Sequence, residues 1–83
     1  MNQMVPSKVL AEFIKDSVPE NLVRIDVARK SILFQYVGEW FIVIIQDGEN
    51  SLVSGSEAGI KNFKDGFVNY IQQKAEYERS TDT

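Results

Sequence analysis

The chain has 83 residues, enough for one small domain with a modest core. Its apolar content of 43% and charged content of 25% are those of a folded chain rather than a disordered one, and a net charge of −3 has the wrong sign for a general nucleic-acid binder. Cysteine and histidine are both absent, which excludes disulfides, thiolate nucleophiles, imidazole bases and the usual zinc sites.

The opening MNQMVPSKVL lacks a basic region followed by an apolar run, so no signal peptide is expected. No apolar run approaches the length of a membrane span, and the expected location is the cytoplasm. The first predicted element is a helix between Pro6 and Pro19. Ser7 is placed to cap it, and Val9, Leu10, Phe13 and Ile14 share one face at helical spacing. Pro19 disfavours helix at Val18 and ends the element.

Leu22 to Val27 alternates with period two and reads as a strand. Ala28 to Ser31 turns the chain into a second strand, Ile32 to Val37. Gly38 and Glu39 form a two-residue loop with glycine first, the pattern of a type II′ hairpin. Trp40 to Gln46 is the third strand, Asp47-Gly48 a further turn, and Ser51 to Ser54 a short fourth strand at the edge. Ser54 and Glu57 have capping-box spacing. The helix that follows carries Ile60, Phe63, Phe67 and Ile71 on one stripe and is predicted to end near Tyr77; residues 78–83 are a polar tail expected to fray. The prediction is one α+β domain over 1–83, with its ordered core at about 5–77. It has a three- to four-stranded antiparallel meander sheet and one helix at each end (α-β-β-β-(β)-α), the helices packed on the sheet.

A two-residue loop at Gly38-Glu39 would set Tyr36 opposite Phe41 and Phe34 opposite Val43. A four-residue turn at Ala28 to Ser31 would set Ile25 opposite Phe34 and Val27 opposite Ile32. Opposed residues share a face. One face is then Val23, Ile25, Val27, Ile32, Phe34, Tyr36, Phe41, Val43 and Ile45, which must take the helices. The other carries Leu22, Arg24, Asp26, Leu33, Gln35, Val37, Trp40, Ile42 and Ile44. The first strand is amphipathic, but the run from Trp40 to Ile45 is apolar on both faces. Trp40, Ile42 and Ile44, with Leu33 and Val37, therefore need a cover. The first helix could cross to that face and make a third layer; a second copy of the chain could pack there; or a different protein could.

The residues that might carry chemistry have simpler readings. Glu39, Asp47 and Glu49 gather at hairpin ends, where such side chains shape and solvate turns. The segment DGEN lacks the alternating ligands of a calcium loop, and SGSEAG has Glu57 where a phosphate site would need positive charge. Arg24, Arg29, Lys30, Lys61 and Lys64 are the basic groupings, but Tyr36 faces the helices and cannot stack on a base. Gly59 and Gly66 lie seven apart on one line of the second helix, which predicts close approach of another backbone, most simply that of the first helix. No cofactor or metal is expected.

The order α-β-β-β-α, covering nearly the whole chain, resembles that of double-stranded-RNA-binding domains. That family opens its second helix with lysines that grip phosphate; here the matching stretch is SEAGIKNF, with Glu57 in their place, so nucleic acid is not the expected partner. The same order, small size and acidic balance also resemble some phage-encoded inhibitors of CRISPR nucleases. The expectation is a non-enzymatic regulator or inhibitor that binds another protein through the apolar sheet face at Trp40, Ile42, Ile44, Leu33 and Val37. A structural homodimer that consumes the same patch is the alternative, and a nucleic-acid accessory role a further one.

Overall fold

The computed structural model describes residues 1–81, and their side chains as far as Glu76. The elements are β1 (Asn2–Pro6), α1 (Ser7–Ser17), a single 3-10 turn (Glu20–Leu22), β2 (Val23–Asp26), β3 (Ser31–Tyr36), β4 (Glu39–Ile45), β5 (Asn50–Ser54) and α2 (Glu57–Thr81). The five strands form one antiparallel sheet in the order β1-β5-β4-β3-β2. The protein is thus α+β, with a helix near each end packed on the sheet. α2 continues past the predicted end at Tyr77. The expected fraying of the tail rests on side chains beyond Glu76 and on the last two residues, which lie outside the described part.

The sheet has one more strand than the three or four expected. β1 pairs with β5, from Asn2 opposite Ser54 to Pro6 opposite Asn50. Alternation places Val5 inward, where it is buried, and Met4 outward. Pro6 lies on the outer edge of the sheet, where its missing N–H breaks no ladder bond.

Both hairpins sit two residues from their expected register. Val37 and Gly38 form the first loop, each at positive φ (51° and 76°), so Tyr36 pairs with Glu39 and Phe34 with Phe41. Two positive φ values in a row are the type I′ pattern rather than II′. This register stacks Phe34 on Phe41, centroids 5.2 Å apart, and brings Glu39 to the start of α2. The other hairpin turns at residues 27–30 and pairs Ile25 with Ile32. Asp26 closes that turn by accepting the Arg29 N–H, and Lys30 takes φ 53°. A shift of two residues preserves side-chain parity, so the residues that remain in strands keep their faces.

The helices both lie on the inner face, nearest β1, β4 and β5. Phe13 of α1 is the hub of the core, with Tyr36, Phe63, Phe67 and Tyr70 edge-on to it at 5.3–5.6 Å. Phe34, Phe41, Val43, Val53 and Phe63 are fully enclosed around it. The β2 end of the same face is left uncovered: Ile25 is 68% exposed and Val27, in the turn, 82%, against the expectation that both would take a helix. Ile71 is also exposed. Beyond Phe67 the inward line of α2 passes instead through Tyr70 and Lys74, which reach Asp16 and Glu12 of α1.

The helix starts differ from their sequence reading. Ser7 caps nothing; its hydroxyl bonds that of Ser51, the one buried polar side chain among the described residues, at 2.7 Å. Ser56, not Ser54, caps α2: its Oγ accepts the Gly59 N–H at 3.0 Å and donates to Glu39 at 2.7 Å. The two glycines of α2 face the sheet rather than α1. A Cβ on Gly59 would meet Glu39 and Phe41, and one on Gly66 would overlap the Tyr36 hydroxyl.

Candidate functional site

Alternation along β4 separates its apolar run into two sets. Phe41 and Val43 are buried, while Trp40, Ile42 and Ile44 are 46%, 50% and 44% exposed on the opposite face. No described element of the chain covers that face, because both helices pack on the other.

Neighbouring strands widen the patch. Leu33, half-buried, lies opposite Ile42; Leu52 of β5 lies opposite Ile44; Met4 of β1 lies opposite Leu52 and is itself 50% exposed. Trp40 sits opposite Gln35 at the β3 side. An apolar band thus crosses the sheet from β3 to β1, with Arg24 and Asp26 at one rim and the hydrogen-bonded pair Asn2–Ser54 at the other. Of the five residues singled out from sequence, four lie on this face. Val37 does not: it occupies the hairpin loop, 65% exposed, because the loop took it out of the strand. Met4 and Leu52 were missed. NQMVP carries no clear alternation that would have flagged Met4, whose place on this face follows from the pairing of β1 with β5.

The charged residues are spread out, and several are locally engaged. Asp47 Oδ1 accepts the N–H groups of Glu49 and Asn50 at 2.8 Å each, and these bonds, that from Glu49 first, hold its carboxyl below the usual carboxylate range. It shapes the β4–β5 turn, while Glu39 holds the α2 cap. Lys61 and Lys64 line an open groove of about 620 Å³ between β1 and α2, together with Met1 and Gln3. Arg24 and Arg29 stand at the opposite, β2 end of the sheet. The cations therefore do not converge on one surface. Among the described residues no group of three acidic side chains could hold a metal ion, and no helix is long and apolar enough to cross a membrane.

The chain matches no protein-family model, no curated protein and no solved structure.

Proposed function

We propose that this protein acts by binding another protein through the open face of its sheet, as a non-enzymatic regulator or inhibitor. One observation carries the reading: Trp40, Ile42, Ile44 and Met4, each 44–50% exposed, are contiguous on a face that neither helix covers. Large exposed apolar patches rimmed by polar residues mark interaction sites, and tryptophan is enriched among the residues that carry binding energy.

The magnitudes demand the whole band. These four side chains are already about half covered. Docking therefore recovers roughly half of the ~1.5–3 kcal/mol that complete burial of each would give. That is roughly 3–6 kcal/mol in all, comparable with the cost of association. A partner must also engage Leu33 and Leu52 and make polar contacts at the rim. The acidic balance suits a partner with a basic surface. A nuclease is such a protein, and it is the class suggested by the small size and acidic balance shared with phage-encoded inhibitors, the element order itself differing by the strand that precedes α1.

Ile42→Asp tests the reading. The side chain lies on the uncovered face, so the variant should keep the circular dichroism and melting behaviour of the parent. A partner recovered with the parent protein, then purified and titrated, should lose binding to Ile42→Asp and weaken towards Trp40→Ala, since a desolvated charge at an interface centre is expensive. Equal binding by parent and Ile42→Asp, or an unfolded variant, would remove the outer face from consideration.

A further inference from the structure

The edge strand β2 presents free backbone groups along a side of the sheet separate from the outer face. The Ile45 N–H donates to the Lys30 carbonyl at 3.0 Å, which makes Lys30–Ile45 a hydrogen-bonded pair. Such pairs alternate along an antiparallel ladder. Ile32, Phe34 and Tyr36 therefore bond to β4, and Ser31 and Leu33 turn their backbone groups to β2, where they meet Asp26 and Arg24. Peptide planes are trans, so the groups between those bonds point the other way, out of the sheet. The Val23 N–H is occupied by the Glu20 carbonyl and the Val27 carbonyl by the Lys30 N–H. What remains at the edge is two donors, the N–H groups of Ile25 and Val27, and two acceptors, the carbonyls of Val23 and Ile25.

That set is symmetric about Ile25, and in Val23-Arg24-Ile25-Asp26-Val27 the valines mirror one another while Arg24 and Asp26 place opposite charges at mirrored positions. We propose that two copies of this chain pair through β2, antiparallel and centred on Ile25, into one continuous sheet with five strands from each copy. In this register Ile25 bonds Ile25 of the second copy in both directions, and the Val27 N–H of each copy donates to the Val23 carbonyl of the other. Every free group finds its complement. Arg24 stands directly opposite the second copy's Asp26, and Asp26 opposite its Arg24, both on the outer face, where cross-strand opposite charges stabilise a pair.

On the inner face the same pairing sets Ile25 beside its counterpart and Val27 beside Val23. Ile25 and Val27 are side chains the helices leave bare, and Val23 is half-buried against the core. Val23 and Ile25 border a groove of about 390 Å³ between α1 and β2, with Ile14, Val18 and Ile32 in its lining beside the charged Lys15 and Glu20. The second copy's edge closes the open side of that groove. Natural edge strands are protected by charges that repel a neighbour. Here the two charges have opposite sign and are placed symmetrically, so they favour a second copy over an unrelated strand. The other edge, β1, ends in Pro6 and has no such symmetry.

Sedimentation velocity over a concentration series tests the pairing. The parent protein should dimerise reversibly. R24D sets like charges opposite one another at both symmetric positions and should raise the dimer dissociation constant by roughly tenfold or more. The double exchange R24D/D26R should restore the dimer provided that its circular dichroism and melting show the β2–β3 hairpin intact, because Asp26 also accepts the Arg29 N–H within its own chain. Amide exchange at Ile25 and Val27 should slow with rising concentration in the parent and not in R24D. Ile42→Asp should leave this dimer intact, so the edge and the outer face are read on different variants. A parent that stays monomeric throughout, or a dimer that R24D leaves unchanged, overturns the proposal. Should R24D unfold, amide exchange in the parent decides, and protection independent of concentration overturns it.

Discussion

The Tyr36 side chain of β3 lies so close to Gly66 of α2 that a Cβ there would overlap its hydroxyl. The absence of a side chain lets α2 approach the sheet at this point. Gly66→Ala sets two effects against each other. Alanine gains about 1 kcal/mol of helix propensity. Overpacking against a ring held edge-on by Phe13 costs about 1–3 kcal/mol. The expected outcome is a net loss of about 1 kcal/mol in urea denaturation. In a Tyr36→Phe background the nearest atom is gone and ring carbons at 3.0 and 3.3 Å remain, so the loss from Gly66→Ala should shrink markedly. A double-mutant cycle without coupling would place the two residues apart.

Phe34 is the deepest test of the core. It is fully buried, stacks on Phe41 and lies 6.2 Å from the Phe63 ring. Phe34→Ala removes the aromatic bridge between sheet and helix and should cost about 3–5 kcal/mol. Small domains hold roughly 5–15 kcal/mol in total, so the variant should be partly unfolded without denaturant. A loss below about 1 kcal/mol would contradict this packing.

Face membership was legible because it depends only on parity. Period-two alternation sorted Phe34, Phe41 and Val43 from Leu33, Trp40 and Ile42, and neither hairpin's two-residue shift could disturb it. Register was not legible, because local turn chemistry favoured Gly38-Glu39 while the stacking of Phe34 on Phe41 is a contact that no local pattern announces. β1 was missed for a similar reason. Its five residues pair with β5, some fifty positions away, and NQMVP carries little apolar alternation of its own. The outer patch was therefore seen at its β4 centre and not at its Met4 end. The exposed β2 edge was misread as core because helix coverage is a matter of three-dimensional placement, which the apolar character of Ile25 and Val27 does not report.

The polar ties between α1 and α2 predict an alkaline limit. The Tyr70 hydroxyl donates to Asp16 at 2.6 Å, and this bond, aided by burial and the carboxylate charge, raises the phenol's pKa. The Lys74 ammonium bonds Glu12, which raises its pKa against the opposing effect of burial. Both groups favour their protonated form more strongly in the folded state. Their stabilisation is complete below the unfolded values, about 10 for each, and is lost as pH rises through the folded ones. The melting temperature should therefore fall above about pH 10. Tyr70→Phe should melt lower at neutral pH and show a shallower alkaline fall. A phenol titration in which the transition lost in Tyr70→Phe lies at or below the free phenol's value of about 10 would contradict the Asp16 contact.

Val37 makes the hairpin loop more costly than it needs to be. Its φ of 51° lies in the left-handed region, where a β-branched residue is strained by about 1–2 kcal/mol. Asparagine tolerates that conformation, and Asn-Gly is the preferred pair for a type I′ loop. The side chain is 65% exposed, so its removal forfeits little burial. Val37→Asn should therefore stabilise the protein by about 1 kcal/mol, seen as a higher urea midpoint at unchanged slope. Since Val37 stands off the strand face, the same variant should bind an outer-face partner as the parent does. Loss of that binding would return Val37 to the interaction surface. A lower midpoint would mean that the loop does not hold both central residues at positive φ in solution.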